Sequence, residues 1–277
     1  MILPPINNMR YCFFLIAIIS LHAQDRTETS RAPFHLFPDS SFISPFTADA
    51  HAHRTEVENI LFSKDIRASM GTMIPVADLE LFNTMMQASL GASVHFELHP
   101  VGQAQIVSND YYIDFLTLDI PLQQNLFARW VIGHTSHHFS DNWYERLKLN
   151  ASVRYSRDYV RLFAVYESDR NRQFYLGADY AYTFTIGRRI ERPWRFQTGG
   201  IVPLMEFGST VLYTAADCKL HQEAGFAATN TIQAGFMFPM QRGRVVRLSL
   251  QHRSGLDERG QFFPNHRSFT VFALSFE

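Results

Sequence analysis

A short polar segment in the middle of the chain carries the residue types of a hydrolytic site. Its sequence, GHTSHHFSDN, contains His134 and Ser136, two residues apart. Residues at this spacing in an extended strand share one face, so a histidine base and a serine nucleophile would be neighbours. If a tight turn at 139–140 follows, Glu145 on the next strand lies directly opposite His134 and would orient its imidazole. The spacing therefore predicts a catalytic site made of Ser136, His134 and Glu145.

A second His-x-Ser pair follows a similar apolar stretch near the C-terminus. His252 and Ser254 share their parity with Leu248 and Leu250. The repetition leaves an alternative open, because both segments could be polar hairpin tips at the headgroup level, where polar residues cost little. We therefore treat His252 and Ser254 as secondary candidates.

Histidine is dense enough in two segments to raise the question of a metal site. The histidines and acids of these segments are His134, His137, His138 and Asp141, then Asp49, His51 and His53. Along one strand, however, His134 and His138 would lie ~13 Å apart, and His137 would point to the other face. We predict no metal site and no bound cofactor, and we expect His51 and His53 to be surface residues.

The elements that must position these side chains are strands with strict period-two alternation. Apolar residues alternate with polar or small ones from Gln87 to Leu98 and again from Phe174 to Gly187. Such runs exceed the ~5–6 residues usual for soluble strands and match the ~9–11 residues that cross a bilayer. About twelve strands fit between Asp65 and the C-terminus, and an even number is usual for bacterial barrels. The pattern predicts an all-β fold, a closed antiparallel transmembrane β-barrel.

The alternation also assigns the two faces of the barrel wall. The residues expected to face lipid are Phe96, Tyr182 and Phe236, and those expected to face the lumen are Glu97, Asp179 and Gln233. His134 and Ser136 share parity with apolar residues of their own strand, so the predicted site faces lipid.

The N-terminus has the layout of an export signal. The apolar run YCFFLIAIISL follows Arg10, which predicts a signal peptide over residues 1–23 with cleavage between Ala23 and Gln24. Residues 24–64 do not alternate and are predicted to form an N-terminal periplasmic segment, with the barrel over 65–277. This organisation indicates the outer membrane of a Gram-negative-type bacterium.

The charge balance and the C-terminal residues indicate which classes of binding partner to expect. The 25 basic and 26 acidic side chains nearly cancel, which gives no general attraction to nucleic acid. The last strand ends with Phe276 and Glu277, close to the aromatic-ended strand that the outer-membrane assembly machinery recognises. Membrane lipid and this machinery are the expected partners, and no nucleic-acid partner is expected.

Four segments occur in the order found in one bacterial family. They are FPDSSFISPFTADAHAHRTE (37–56), GHTSHHFSDN (133–142), NASVRYSRD (150–158) and HRSGLDERGQFF (252–263). They resemble the ADP-type, HxSSH-type and GQF-type motifs of the family catalogued as domain of unknown function 1207. The resemblance covers nearly the whole mature chain and implies an exported barrel.

One hairpin has a second, more distant likeness. RWVIGHTSHHFSDNWYERL, residues 129–147, resembles the active-site hairpin of outer-membrane phospholipase A and a related hairpin of lipid A deacylase. Both place His-x-Ser on a barrel strand, with a third polar residue on the next strand. The resemblance implies hydrolysis of a lipid acyl ester and, for the phospholipase, dependence on calcium, for which no ligand set can be matched here. The competing function is a non-catalytic barrel, either a small pore or a structural component.

Overall fold

The computed structural model describes residues 33–101, 103–141, 155–168, 171–184, 193–240, 244–262 and 265–277. Over these residues the chain forms strands and two short 3₁₀ turns, Gln222–Ala224 and Gly260–Phe262. The strands are β1 (Phe34–Leu36), β2 (Thr55–Ile60), β3 (Ile66–Leu81), β4 (Thr84–Val101), β5 (Gln103–Gln123), β6 (Leu126–Phe139), β7 (Tyr155–Ser168), β8 (Arg172–Phe184), β9 (Trp194–Phe207), β10 (Thr210–His221), β11 (Ala227–Pro239), β12 (Val245–Leu256) and β13 (His266–Phe276).

Strands β2 to β13 form a closed antiparallel barrel of twelve strands. Each strand pairs with its neighbours in the sequence, and the ring closes where β2 pairs with β13, with Thr55 opposite Phe276. Strand β1 lies outside the ring and pairs with the last residues of β3. Closure gives every strand of the ring two neighbouring strands, as a lipid-exposed sheet requires. The predicted fold is confirmed.

The predicted faces of the wall are also confirmed. Glu97, Asp179 and Gln233 are buried in the lumen, whereas Tyr182 and Phe236 are exposed on the outer surface. Many large apolar side chains are exposed in the same way, as expected for a surface that contacts lipid.

The two ends of the barrel differ in their connections. At one end the connections between strands have two to five residues, as at Phe82-Asn83, where both residues have positive φ and match the twist of a tight hairpin. At the other end several connections are longer, including 140–154 between β6 and β7, whereas residue 102 alone separates β4 from β5. We call these the turn end and the loop end.

The segment before the barrel was predicted to be periplasmic up to residue 64, and this boundary is wrong. The first barrel strand begins at Thr55, and residues 42–54 lie inside the lumen, where we call them the plug. The ring of Phe46 stacks on that of Tyr175 of β8, with 3.8 Å between centroids. The Arg129 guanidinium of β6 lies over the Phe46 ring. Phe42 donates its N–H to Gln87 of β4. The plug therefore contacts at least three strands of the wall.

His51 and His53 were expected at the surface, but both belong to the plug. His53 bonds Ser93 at 3.0 Å and Asp114 at 2.9 Å, two residues of the wall. His51 stacks on Tyr112, and burial together with the Lys219 ammonium lowers the pKa of its ring. A local sequence pattern misses this placement because only the closed barrel creates an interior for these polar residues.

The remaining lumen is filled by ion pairs. Buried or partly buried arginines meet buried acids at several levels, for example Arg129 with Asp119 at 2.7 Å and Arg161 with Asp179 at 2.9 Å. The internal cavity near the loop end has a volume of about 50 Å³, room for only a few water molecules. Within the described ranges, no three His, Cys, Asp or Glu side chains are grouped to hold a metal ion. The described residues also include no helix long and apolar enough to cross a membrane.

Candidate functional site

The predicted nucleophile and base lie together on the outer face of β6, close to the loop end. The inward side chains of this stretch, Thr135 and His137, are buried, whereas His134 and Ser136 are partly exposed. Tyr111 of β5 lies opposite Ser136 on one side, and Ser156 of β7 lies opposite it on the other. The period-two pattern correctly places the two residues on one lipid-facing surface.

The residue opposite His134 differs from the prediction. Strand β7 begins at Tyr155, and its register with β6 pairs His134 with Asp158 rather than with Glu145. Glu145 lies outside the described residues. The prediction of a tight turn at 139–140 is wrong, because the connection between the two strands runs from 140 to 154.

Asp158 supplies the carboxylate that the chemistry requires. Its Oδ1 lies 2.6 Å from His134 Nδ1, and the two side chains keep 32% and 29% exposure. A carboxylate on Nδ1 fixes the ring orientation and leaves Nε2 to act as the base. Sequence reasoning missed Asp158, although it shares the outward parity of Val160 and Leu162 and is an acid on an apolar face.

Ser136 has a second histidine beside it. Its Oγ lies 2.5 Å from Nε2 of His138, the next outward residue of β6. This contact, rather than one with His134, is the hydrogen bond of Ser136 in the structure. Contacts between a catalytic serine and its base are often loose before substrate binds.

The secondary candidates lie on the opposite side of the barrel. His252 and Ser254 are on the outer face of β12, which is six strands from β6 in either direction around the ring of twelve. His252 Nδ1 contacts Thr270 Oγ1 at 3.0 Å, so its partner on the next strand is a hydroxyl. The structure thus separates the two His-x-Ser pairs and joins only His134 to a carboxylate.

The inner face of β6 joins three segments that are distant in sequence. His137 Nδ1 accepts the N–H of Gly260 at 3.1 Å, and its ring packs edge-on against Tyr112, on which the plug residue His51 stacks. Phe139 packs against Phe262 in the same loop as Gly260. The strand that carries the outer site is therefore fixed from inside by the plug and by a loop-end segment.

A closed twelve-stranded antiparallel barrel with an apolar outer surface and a polar interior defines an outer-membrane-type β-barrel. The chain belongs to the family described as protein of unknown function (DUF1207), whose sequence model matches residues 23–277. The family resemblance of the sequence is thereby confirmed.

Solved structures with a related backbone include three outer-membrane proteins. Outer membrane phospholipase A from Escherichia coli is 13% identical, with 81% of this chain and 96% of that chain covered and a TM-score of 0.49. The Salmonella typhi outer membrane phospholipase dimer with bound calcium is 13% identical, with 81% and 90% covered and a TM-score of 0.49. OmpT from Vibrio cholerae is 8% identical, with 81% and 96% covered and a TM-score of 0.39. Comparison with curated proteins gives no match.

Proposed function

We propose that this protein is an outer-membrane acyl hydrolase that cleaves a lipid ester at Ser136, with His134 as the base and Asp158 as the orienting acid. The observation that carries the proposal is the 2.6 Å contact of His134 with Asp158 on the outer surface, two residues before Ser136 on the same face of β6. Polar side chains on a lipid-facing surface are costly, which favours a chemical role for this group.

The chemistry follows from the arrangement of the three side chains. Ser136 Oγ attacks the acyl carbonyl carbon while His134 Nε2 takes the hydroxyl proton, and Asp158 stabilises the imidazolium that forms. The same proton then passes to the leaving alcohol oxygen as the ester C–O bond breaks. Water hydrolyses the acyl-serine by the reverse sequence of proton transfers and releases a fatty acid.

The position of the site indicates which lipids it meets. In outer-membrane barrels the short turns are periplasmic and the long loops extracellular, so the loop end lies in the outer leaflet. A lipid there would enter from the membrane with its acyl esters near the headgroup level. The substrate class is thus an acyl ester of a membrane lipid, either a phospholipid or lipid A.

Calcium is implied only by the likeness to phospholipase A. Around Ser136 the described side chains are mainly histidine, serine and tyrosine, and the nearby carboxylate of Asp158 is already bonded to His134. The described residues do not fit a calcium site, and none of the steps above uses the ion.

The direct test is release of fatty acid by purified, folded barrel from mixed micelles of detergent with phospholipid or with lipid A, each with calcium or with chelator. We expect release from at least one lipid in the presence of the protein. An absence of release from both lipids, with and without calcium, would contradict the proposal.

The site requires export of the chain, and we propose that residues 1–23 are the signal that directs it. The mature protein is expected to begin at Gln24 and to fractionate with the outer membrane. Mass spectrometry of the N-terminus and membrane fractionation check both points. An intact Met1 on the membrane-bound protein, or recovery in the cytosol, would show that this assignment is wrong.

The competing reading, a pore, is poorly supported by the filled lumen. Among the described residues, Phe46 and its neighbours occupy the interior, and the cavity near the loop end has a volume of about 50 Å³. We expect no stepwise ion conductance when the full-length barrel is inserted into a planar bilayer, under conditions in which a general porin gives clear steps. Stable conductance steps of porin size from this protein would favour the pore.

A further inference from the structure

Ester hydrolysis at Ser136 needs a hydrogen-bond donor for the oxygen that becomes negative. Many hydrolases use backbone N–H groups for this oxyanion. Here Ser136 is paired on both sides, opposite Tyr111 of β5 and opposite Ser156 of β7. Because the backbone groups of paired strands are used by the ladder, a side chain is the donor that the described residues offer at this site.

Among the described residues, His138 is the side chain best placed for this role. Its Nε2 lies 2.5 Å from Ser136 Oγ, and its ring packs edge-on against the Tyr111 ring with 5.9 Å between centroids. The carbonyl oxygen of a bound ester is attached to the carbon that Oγ attacks. A donor within reach of Oγ is therefore close to the position where the negative charge develops.

The two histidines beside Ser136 have different partners. His134 is bonded to Asp158, which suits a base that becomes an imidazolium. Among the described residues His138 contacts Ser136 and Tyr111, and neither contact is with a carboxylate. This difference assigns proton transfer to His134 and leaves His138 as a donor.

We propose that His138 is a catalytic residue whose Nε2–H stabilises the oxyanion of the tetrahedral intermediate formed at Ser136. In the first step the Oγ–C bond forms, the carbonyl π pair moves onto oxygen, and the Oγ proton moves to His134. When the intermediate collapses, the C=O bond re-forms and the leaving alcohol takes the proton from His134. His138 donates a hydrogen bond throughout and neither gains nor loses a proton.

This inference rests on the proposed hydrolase, and its test separates the two. We would measure kcat and KM for fatty-acid release by wild type, His138→Ala, His138→Gln and Ser136→Ala in the same micelles. Glutamine places an N–H donor where His138 has Nε2 but cannot act as a base at neutral pH. His252→Ala, on the opposite side of the barrel, is the matched control.

His138→Ala is expected to lower kcat about 10²-fold, the usual effect of one oxyanion donor, with KM changed by less than about threefold. The kcat of His138→Gln should be at least about tenfold higher than that of His138→Ala, because glutamine restores an N–H donor. The kcat of His252→Ala should equal that of wild type. Equal losses in the Ala and Gln variants, or no loss in either, would overturn the role of His138 while leaving the hydrolase intact. If wild type is no more active than Ser136→Ala, this result instead contradicts the proposed function, and with it the role of His138. Heat-modifiable electrophoretic mobility verifies that each variant is folded.

Discussion

Replacing Ser136 by alanine should abolish fatty-acid release, with kcat/KM lowered by about 10⁴-fold or more. The change removes the only atom that can form the acyl intermediate in the proposed mechanism, and loss of a serine nucleophile has effects of this size in other hydrolases. Ser136 is partly exposed on the outer face of β6, so the loss of one oxygen there leaves the wall packing unchanged. Fatty-acid release from detergent–lipid micelles, with folding verified by heat-modifiable mobility, measures the effect.

The matched control for this variant is Ser254→Ala. Ser254 belongs to the same His-x-Ser pattern, lies on the outer face and occupies the opposite side of the barrel. We expect this variant to retain activity within about twofold of wild type, since its histidine neighbour is bonded to Thr270 rather than to a carboxylate. A loss in Ser254→Ala equal to that in Ser136→Ala would place the chemistry elsewhere.

Replacing Asp158 by alanine is the second change with a large expected effect. Asp158 holds His134 through Nδ1 at 2.6 Å, so its removal frees the ring and leaves the imidazolium without a counter-charge. We expect kcat to fall about 10³-fold, less than for Ser136→Ala, because the acid of a triad contributes less than its nucleophile. Initial rates at saturating lipid measure this effect.

Glu145→Ala provides the comparison that distinguishes the two assignments of the acid. The sequence favoured Glu145 on the assumption of a tight hairpin, whereas the register of β6 with β7 places Asp158 opposite His134. We expect Glu145→Ala to keep activity within about threefold of wild type. If Glu145→Ala is inactive and Asp158→Ala is active, the acid is Glu145 and the assignment to Asp158 is wrong.

The wall of the barrel was predictable because its signal is local. Alternation at period two determines which side chains face lipid, and it placed Phe236, Gln233, His134 and Ser136 on their observed faces. Neighbouring strands of such a barrel pair in sequence order, so the topology follows once the strands are identified.

The partner of His134 was not predictable in the same way. Which residue of β7 lies opposite it depends on the length of the connection, and the polar segment after Phe139 gives no local sign of where the next strand begins. A register error of this kind exchanges one carboxylate for another, here Glu145 for Asp158. The alternation within one strand shows which acids point outward. It does not show which residue of the neighbouring strand each acid faces.

The plug was missed for a different reason. Residues 42–54 have no regular period, and their polar members, such as Asp49 and His53, resemble those of a solvated segment. Their burial is possible because charged side chains of the wall pair with them, as in the ion pair of Lys219 with Asp49 at 2.6 Å. Such complementarity exists only after strands far apart in sequence have closed into a ring.

Covalent labelling of the folded wild-type barrel with a serine-directed fluorophosphonate, followed by peptide mapping, tests the central claim most directly. The probe reacts with a serine only where a base activates the hydroxyl, so it reports the nucleophile without knowledge of the natural lipid. We predict a single adduct on Ser136, lost in Ser136→Ala and formed far more slowly in Asp158→Ala. An unlabelled Ser136 in a protein that releases fatty acid, or an adduct on Ser254 instead, would contradict the account.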